Sequence, residues 1–235
     1  MPNRATGLPW DRIAVSTPVD EHGETATSRT RLSTQSIVDT AITIADVDGL
    51  DAVSIRRVAA ILDVRPMSLY THIISKDELL ALMANELMGT LIIEPPLPDD
   101  WREALSLIAH RIFRMFASHP WLLALLARRP RHGPNVTRQA KQLADAVESL
   151  RLPPEDMWTL LSIVNDYILG HALRVATTGS TSDFVENLSE RERAALPDLS
   201  ALARTEETRR SGEVFERGLQ TVLDGVEQRF VTGRR

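Results

Sequence analysis

The sequence predicts an all-α protein with a small N-terminal and a larger C-terminal helical domain, on three observations. Apolar residues recur at three- and four-residue spacing in one segment after another from Ser33 onward, which is the period of a helix packed on one side. Alternation is absent, and the Asp-Gly pairs fall at helix ends or inside a helical pattern rather than between strand-like runs, so no hairpin is expected. Pro and Gly fall between the periodic stretches, where a helix must stop. No repeat of fixed period is visible, which disfavours a solenoid.

Taken in order, Ile37, Ala41, Ile44 and Ala45 mark a first helix that Gly49 ends. Ser54 is placed to cap a second, short helix through Leu62, with Val58, Ala59 and Leu62 on its apolar side. After a break at Asp63 and Val64, Arg65 to His72 forms a short third helix, whose first turn accepts Pro66 because no N–H is needed there. Ser75-Lys-Asp-Glu78 reads as a capping box, with the Glu78 carboxylate reaching back to the serine N–H. The helix it opens runs to about Gly89, and Pro95-Pro96 ends it. Asp100 and Glu103 offer a second capping pair for a helix through His119. Trp121 to Arg128 and Asn135 to Leu150 follow, separated by Pro130 and Gly133-Pro134. Two long segments complete the set. Met157 to Thr177 is apolar around much of its circumference, and Glu207 to Val231 carries Val214, Phe215, Leu219, Val222, Leu223, Val226 and Phe230 at helical spacing. The stretch between them, 179–210, is polar and broken by Gly179 and Pro197.

Composition narrows the function classes. With 235 residues, 43% of them hydrophobic and 25% charged, the chain has the makings of a soluble globular protein with a real core. It holds no cysteine, which excludes a disulfide framework, a thiolate zinc site and a cysteine nucleophile. No apolar run approaches the ~20 residues needed to span a bilayer, and the first 30 residues lack a signal-peptide core. A cytoplasmic location without membrane contact is the expectation. Residues 1–30 read as a flexible arm, either a solvated tail or one that touches DNA phosphates through the basic residues around its end, Arg29 and Arg31.

The net charge of -5 argues against coating nucleic acid by bulk charge. Between residues 54 and 76 the balance reverses: Arg56, Arg57, Arg65 and Lys76 face only Asp63. Two short helices, a tight turn and a compact apolar set coincide there with concentrated positive charge, the pattern of a DNA-binding helix-turn-helix. In that motif the second helix enters the major groove while caps and cations hold the backbone. Arg65, Pro66, Met67, Ser68, Tyr70 and His72 are then the reading residues. Ser54, Arg56 and Lys76 are the phosphate clamps, and the Tyr70 hydroxyl reaches a phosphate oxygen as well. The bland alternative is a solvated cationic face on an ordinary bundle.

The run from Leu50 to Leu80 resembles the N-terminal domain of TetR-family transcriptional repressors. The likeness rests on Arg56, Val58, Ala59, Leu69, Tyr70, His72, Lys76, Leu79 and Leu80, and it extends over about positions 33 to 90. Asp63 departs from it, since the family usually has Gly at the turn; Asp tolerates left-handed backbone but adds a negative charge near DNA. The remainder resembles, more loosely, the C-terminal domain of the tetracycline-repressor branch, at His119-Pro-Trp121, Gly133-Pro-Asn135, Tyr167-Ile-Leu-Gly170 and Phe215-x-x-Gly218-Leu219. The resemblance implies an arm at 1–30, a DNA-binding domain at 31–93 and an effector-binding and dimerisation domain at 94–235. It implies a homodimer through 157–177 and 207–231, a near-palindromic operator, and release by a small-molecule effector.

Candidate ligand contacts are polar or aromatic groups on otherwise apolar helices: His110, Phe113, Phe116, Trp121, Asn165, Asp166, His171 and Arg174. Leu125 and Arg174 fall where the tetracycline repressor has the His and Glu that help hold the drug's magnesium, which disfavours that ligand. An Arg in the cavity points instead to an anion, unless it lies in the dimer interface. His110, His119 and Asp166 form no catalytic motif, so no enzyme, cofactor or metal is expected. The rival function is a helical dimeric adaptor that never binds DNA. Repression is the expected sign, with activation the alternative, because the sign depends on where the operator lies relative to a promoter.

Overall fold

In the computed structural model the described residues are 32–128, 133–177, 189–191 and 212–233. All regular structure among them is helical, as the periodicity predicts. The expected arm at 1–30, most of the polar stretch 179–210 and the start of the last helix at 207–211 lie outside the described residues. The chain divides into two compact units. Among the described residues, one holds those up to Ile92 together with those in 121–140, and the other holds Ile93–Pro120 and those from Lys141 onward.

In the first unit, α1 (Thr34–Asp48) opens at Ser33, whose side chain accepts from the Ser36 N–H while the Ser36 hydroxyl oxygen accepts from the Ser33 N–H. This reciprocal cap satisfies two of the donors that a helix start leaves open. Ile37, Val38, Ala41, Ile44 and Ala45 form its buried stripe. Gly49 stops it at φ 82, a backbone region that a side chain would strain. A turn of 3₁₀-helix at Leu50–Ala52 leads to Ser54, which caps α2 (Ile55–Ile61) by accepting from the Arg57 N–H. Asp63 then takes a φ of 53, so the residue that departs from Gly does adopt the left-handed turn. The third helix is shorter than the sequence suggests: α3 covers Pro66–Leu69, and hydrogen-bonded turns carry the coil on through His72.

Helix α4 (Lys76–Gly89) is the axis of this unit, with ten of its residues buried, from Glu78 through Met88. Ser75 caps it as expected, but the Glu78 carboxylate passes the cap and accepts from the N–H of Ile74, one residue further back. The flexible glutamate arm thereby satisfies a donor of the preceding loop instead of its own cap. Helix α6 (Trp121–Ala127) joins through the Trp121 indole, which donates to Asp46 of α1 at 2.6 Å. The start of α7 (Pro134–Ala146) is sewn to α4: Asn135 donates its backbone N–H to the Asn85 side chain at 3.1 Å and its amide to the Asn85 carbonyl at 2.9 Å.

In the second unit, Asp100 caps α5 (Trp101–Ser118) by accepting from the N–H groups of Arg102 and Glu103. Ala104, Leu105, Ile108, Ala109, Ile112, Met115 and Phe116 are its buried stripe. Helix α7 ends four residues short of the expected Leu150, because the chain tightens into a 3₁₀ turn at Glu148–Leu150 and Arg151 turns left-handed at φ 47. Helix α8 (Pro154–Thr177) buries Leu160, Val164, Ile168 and Ala172, one residue per turn, and α9 (Gly212–Val226) buries Phe215, Leu219, Leu223 and Val226. Past Val226 the chain widens into a π-helical segment, Glu227–Thr232, which no feature of the sequence announces. No described helix is long and apolar enough to cross a membrane.

Candidate functional site

The helix-turn-helix presents one face outward and seals the other. Leu69 and Ile73 are 0% exposed, while Arg65, Pro66, Met67 and Tyr70 are exposed and Ser68 and His72 half-buried. Leu69 and Ile73, four residues apart, fix the core-facing side of the α3 coil, so the residues two away from Leu69 stand on the opposite side. Arg65 is the extended residue before α3 and Pro66 occupies its first position, and no side chain caps the start of this helix. Thr71, which sequence reasoning passes over, is exposed on the same side and donates its hydroxyl to the Ser68 carbonyl at 2.7 Å.

The flanking polar groups divide by what already holds them. Arg56 and Lys76 are exposed. Arg57, one of the four cations of the motif, is held in an ion pair by Asp48 of α1, so part of its charge is spent within the fold. The stretch 54–76 taken alone cannot reveal that pairing, because Asp48 lies outside it. Ser54 uses its oxygen as the α2 cap, which leaves the hydroxyl proton to donate outward.

In the second unit the predicted ligand residues part company. His110 and Phe113 of α5 and His171 of α8 converge on Phe215 of α9. Phe113 stacks on Phe215 with ring centroids 4.3 Å apart, and both histidines meet it edge-on at 5.3 Å. Tyr167 lies 5.6 Å from the same ring and donates its hydroxyl to the Phe215 carbonyl at 2.8 Å. One ring nitrogen of His110 is 2.7 Å from the Ser106 carbonyl and the other 2.8 Å from the Glu216 carboxylate. Arg174 donates to Nδ1 of His171 at 2.7 Å. Burial and the nearby guanidinium both hold the pKa of His171 below the usual histidine value. Burial also pushes that of Tyr167 up, partly offset by Arg174.

The other predicted contacts lie elsewhere. Phe116 is buried in the α5 stripe, Asn165 and Asp166 are exposed on α8, and Trp121 belongs to the first unit, bonded to Asp46. Tyr167, Phe215 and Glu216 also belong to the cluster, and sequence reasoning does not single them out. Phe215 reads in sequence as one more apolar position of a helical stripe, and only tertiary packing shows it at the centre of two histidines and two aromatic rings. A separate open cleft of about 620 Å³ is lined by Pro95, Pro98, Asp99, Asp145 and Arg151 among others. It includes none of the predicted residues.

Residues 94–230 match the family model of the tetracyclin repressor-like C-terminal domain. The chain is 30% identical over 212 residues to the HTH-type transcriptional repressor DrrR1 of Streptomyces coeruleorubidus, covering 83% of this chain and 77% of that one. It is 27% identical over 173 residues to an HTH-type transcriptional regulator of Saccharopolyspora erythraea, covering 70% and 73%. Among solved structures, apo ActR from Streptomyces coelicolor superposes with a TM-score of 0.66 at 26% identity, over 86% of this chain and 96% of that one. ActR in complex with actinorhodin gives 0.67 at 27%, over 84% and 96%. The family-model match over residues 94–230 and the 30% identity to DrrR1 over 83% of the chain establish that the chain belongs to the TetR family of DNA-binding transcriptional regulators.

Proposed function

We propose that the protein is a homodimeric repressor that reads a near-palindromic operator through α3 and is released when a small molecule enters the His110–Phe215 cluster. The observation that carries the DNA-reading role is the two-sidedness of α3. Its inner residues are sealed, while Arg65, Pro66, Met67 and Tyr70 stand exposed between the cations Arg56 and Lys76. Cations at the margins and uncommitted side chains at the centre suit phosphate positioning and base reading respectively. Ser54 donates to a phosphate, and Ser68 and His72 border the groove.

The dimer rests on apolar surface that one protomer leaves open. Trp158 is 73% exposed on α8, and Ile163, Leu173 and Val175 of the same helix and Val231 beyond α9 are also exposed. Exposed apolar side chains in such number along one helix suit a protein interface, and a two-fold pair would set two α3 helices about one DNA turn apart. DrrR1 is named a repressor and ActR is seen with a small molecule bound, which supports repression and an effector here. The rings of the cluster are in direct contact, so an effector entering it separates α5, α8 and α9, and Arg174 favours a ligand with an anionic group. Binding there would couple to the DNA-reading unit.

Titration of the purified full chain against DNA flanking its own gene, and against a scrambled duplex of the same composition, tests the reading. Selective binding that weakens steeply with salt is expected. Equal binding to both duplexes, or to neither, would contradict it.

A further inference from the structure

The geometry points to a specific base preference, an inference that rests on the DNA-reading role above: Met67 and Thr71 form an apolar strip that recognises a thymine C5-methyl group in each half-site. The two residues flank Leu69 at equal distance along the chain. Leu69 and its neighbour one turn on, Ile73, are 0% exposed, so Met67 and Thr71 stand together on the side farthest from the core. Met67 is 73% exposed, and a long thioether side chain so far out of the core draws little stability from the fold.

Thr71 completes the strip through its hydrogen bond. Its hydroxyl proton is donated to the Ser68 carbonyl at 2.7 Å, so Thr71 has no donor left to offer a base, and its methyl stands beside that committed hydroxyl. Neither residue can then donate to the base acceptors of the major groove, N7 and O6 of guanine above all. The one apolar group on the major-groove edges is the thymine methyl. Arg65, exposed at the head of the same coil, is the contrasting element, since a guanidinium suits the paired acceptors of guanine.

The test uses a duplex selected by the full-length protein from a random library, then resynthesised with deoxyuridine replacing one thymidine at a time. That exchange deletes only the methyl. Affinity is expected to fall about fourfold at one or two positions in each half-site, the loss that follows from exposing one methyl group. Met67→Ala and Thr71→Ser, the latter keeping the hydroxyl and its bond to Ser68, should bind the thymine duplex more weakly and no longer distinguish it from its uracil counterpart. If no duplex is enriched over random sequence, the DNA-reading role itself fails. If a duplex is enriched and the wild-type protein tolerates uracil at every thymine, that role stands and the methyl-reading strip is overturned.

Discussion

The Tyr167 ring of α8 lies so close to Gly218 of α9 that a Cβ added at residue 218 would stand 2.7 Å from the ring carbon bearing the hydroxyl, and closer still to the phenol oxygen. The glycine is what allows the Tyr167 hydroxyl to reach the Phe215 carbonyl. Gly218→Ala is expected to destabilise the fold by about 1–3 kcal/mol, the usual cost of forcing extra volume into a packed site. Because the collision is with one side chain, Tyr167→Ala in the same chain should relieve part of it. Denaturant unfolding of the two single variants and the double variant should show losses that do not add.

Asn85 is the clasp of the first unit. Its side chain is buried and its oxygen accepts from the Asn135 N–H, while a Cβ at Gly133 would collide with that same side chain. Asn85→Leu would leave the Asn135 donor without its acceptor, at a cost of about 1–3 kcal/mol. Thermal unfolding should register the loss, and amide exchange should place it at the start of α7.

His171 gives the second unit a pH dependence of predictable sign. Burial and Arg174 lower its folded-state pKa below the ordinary histidine value of 6.5, so the folded protein binds this proton less readily than the unfolded chain. Its contribution is therefore fully present above pH 6.5 and is lost as pH falls below that value toward the folded pKa. The slope from this one proton should not exceed about 1.4 kcal/mol per pH unit. Unfolding free energies measured from pH 8 down to pH 5 should flatten in His171→Gln relative to wild type.

Trp158→Glu should shift the protein toward monomer while leaving its helical content unchanged, since the side chain is 73% exposed and contributes little to the protomer core. Analytical ultracentrifugation of the wild type and the variant reads this directly. A wild-type monomer at micromolar concentration would contradict the proposed dimer.

Where local rules govern, the sequence foretells the structure closely. Ser33, Ser54, Ser75 and Asp100 cap helices as their residue types require, and Gly49 and Pro66 sit where their backbone preferences put them. The misses that matter most to the site are tertiary. The Arg57–Asp48 pair and the placing of Trp121 beside α1 depend on which helices meet, whereas the reach of Glu78 to Ile74 and the early ends of α3 and α7 are local choices between competing hydrogen bonds. Half of the candidate site is legible for the same reason. The α3 face follows from local period and charge, whereas Phe215 becomes central only when α5, α8 and α9 pack together.

The central claim is that the α3 face and its flanking cations grip DNA in two symmetric copies. The most direct test is the salt dependence of affinity for wild type and Lys76→Ala on one selected duplex. Each phosphate that a cation no longer neutralises should reduce the slope of log K against log salt by about 0.9, so removing Lys76 from both halves of a dimer should reduce it by about 1.8. An unchanged slope, with binding to that duplex intact, would contradict the account.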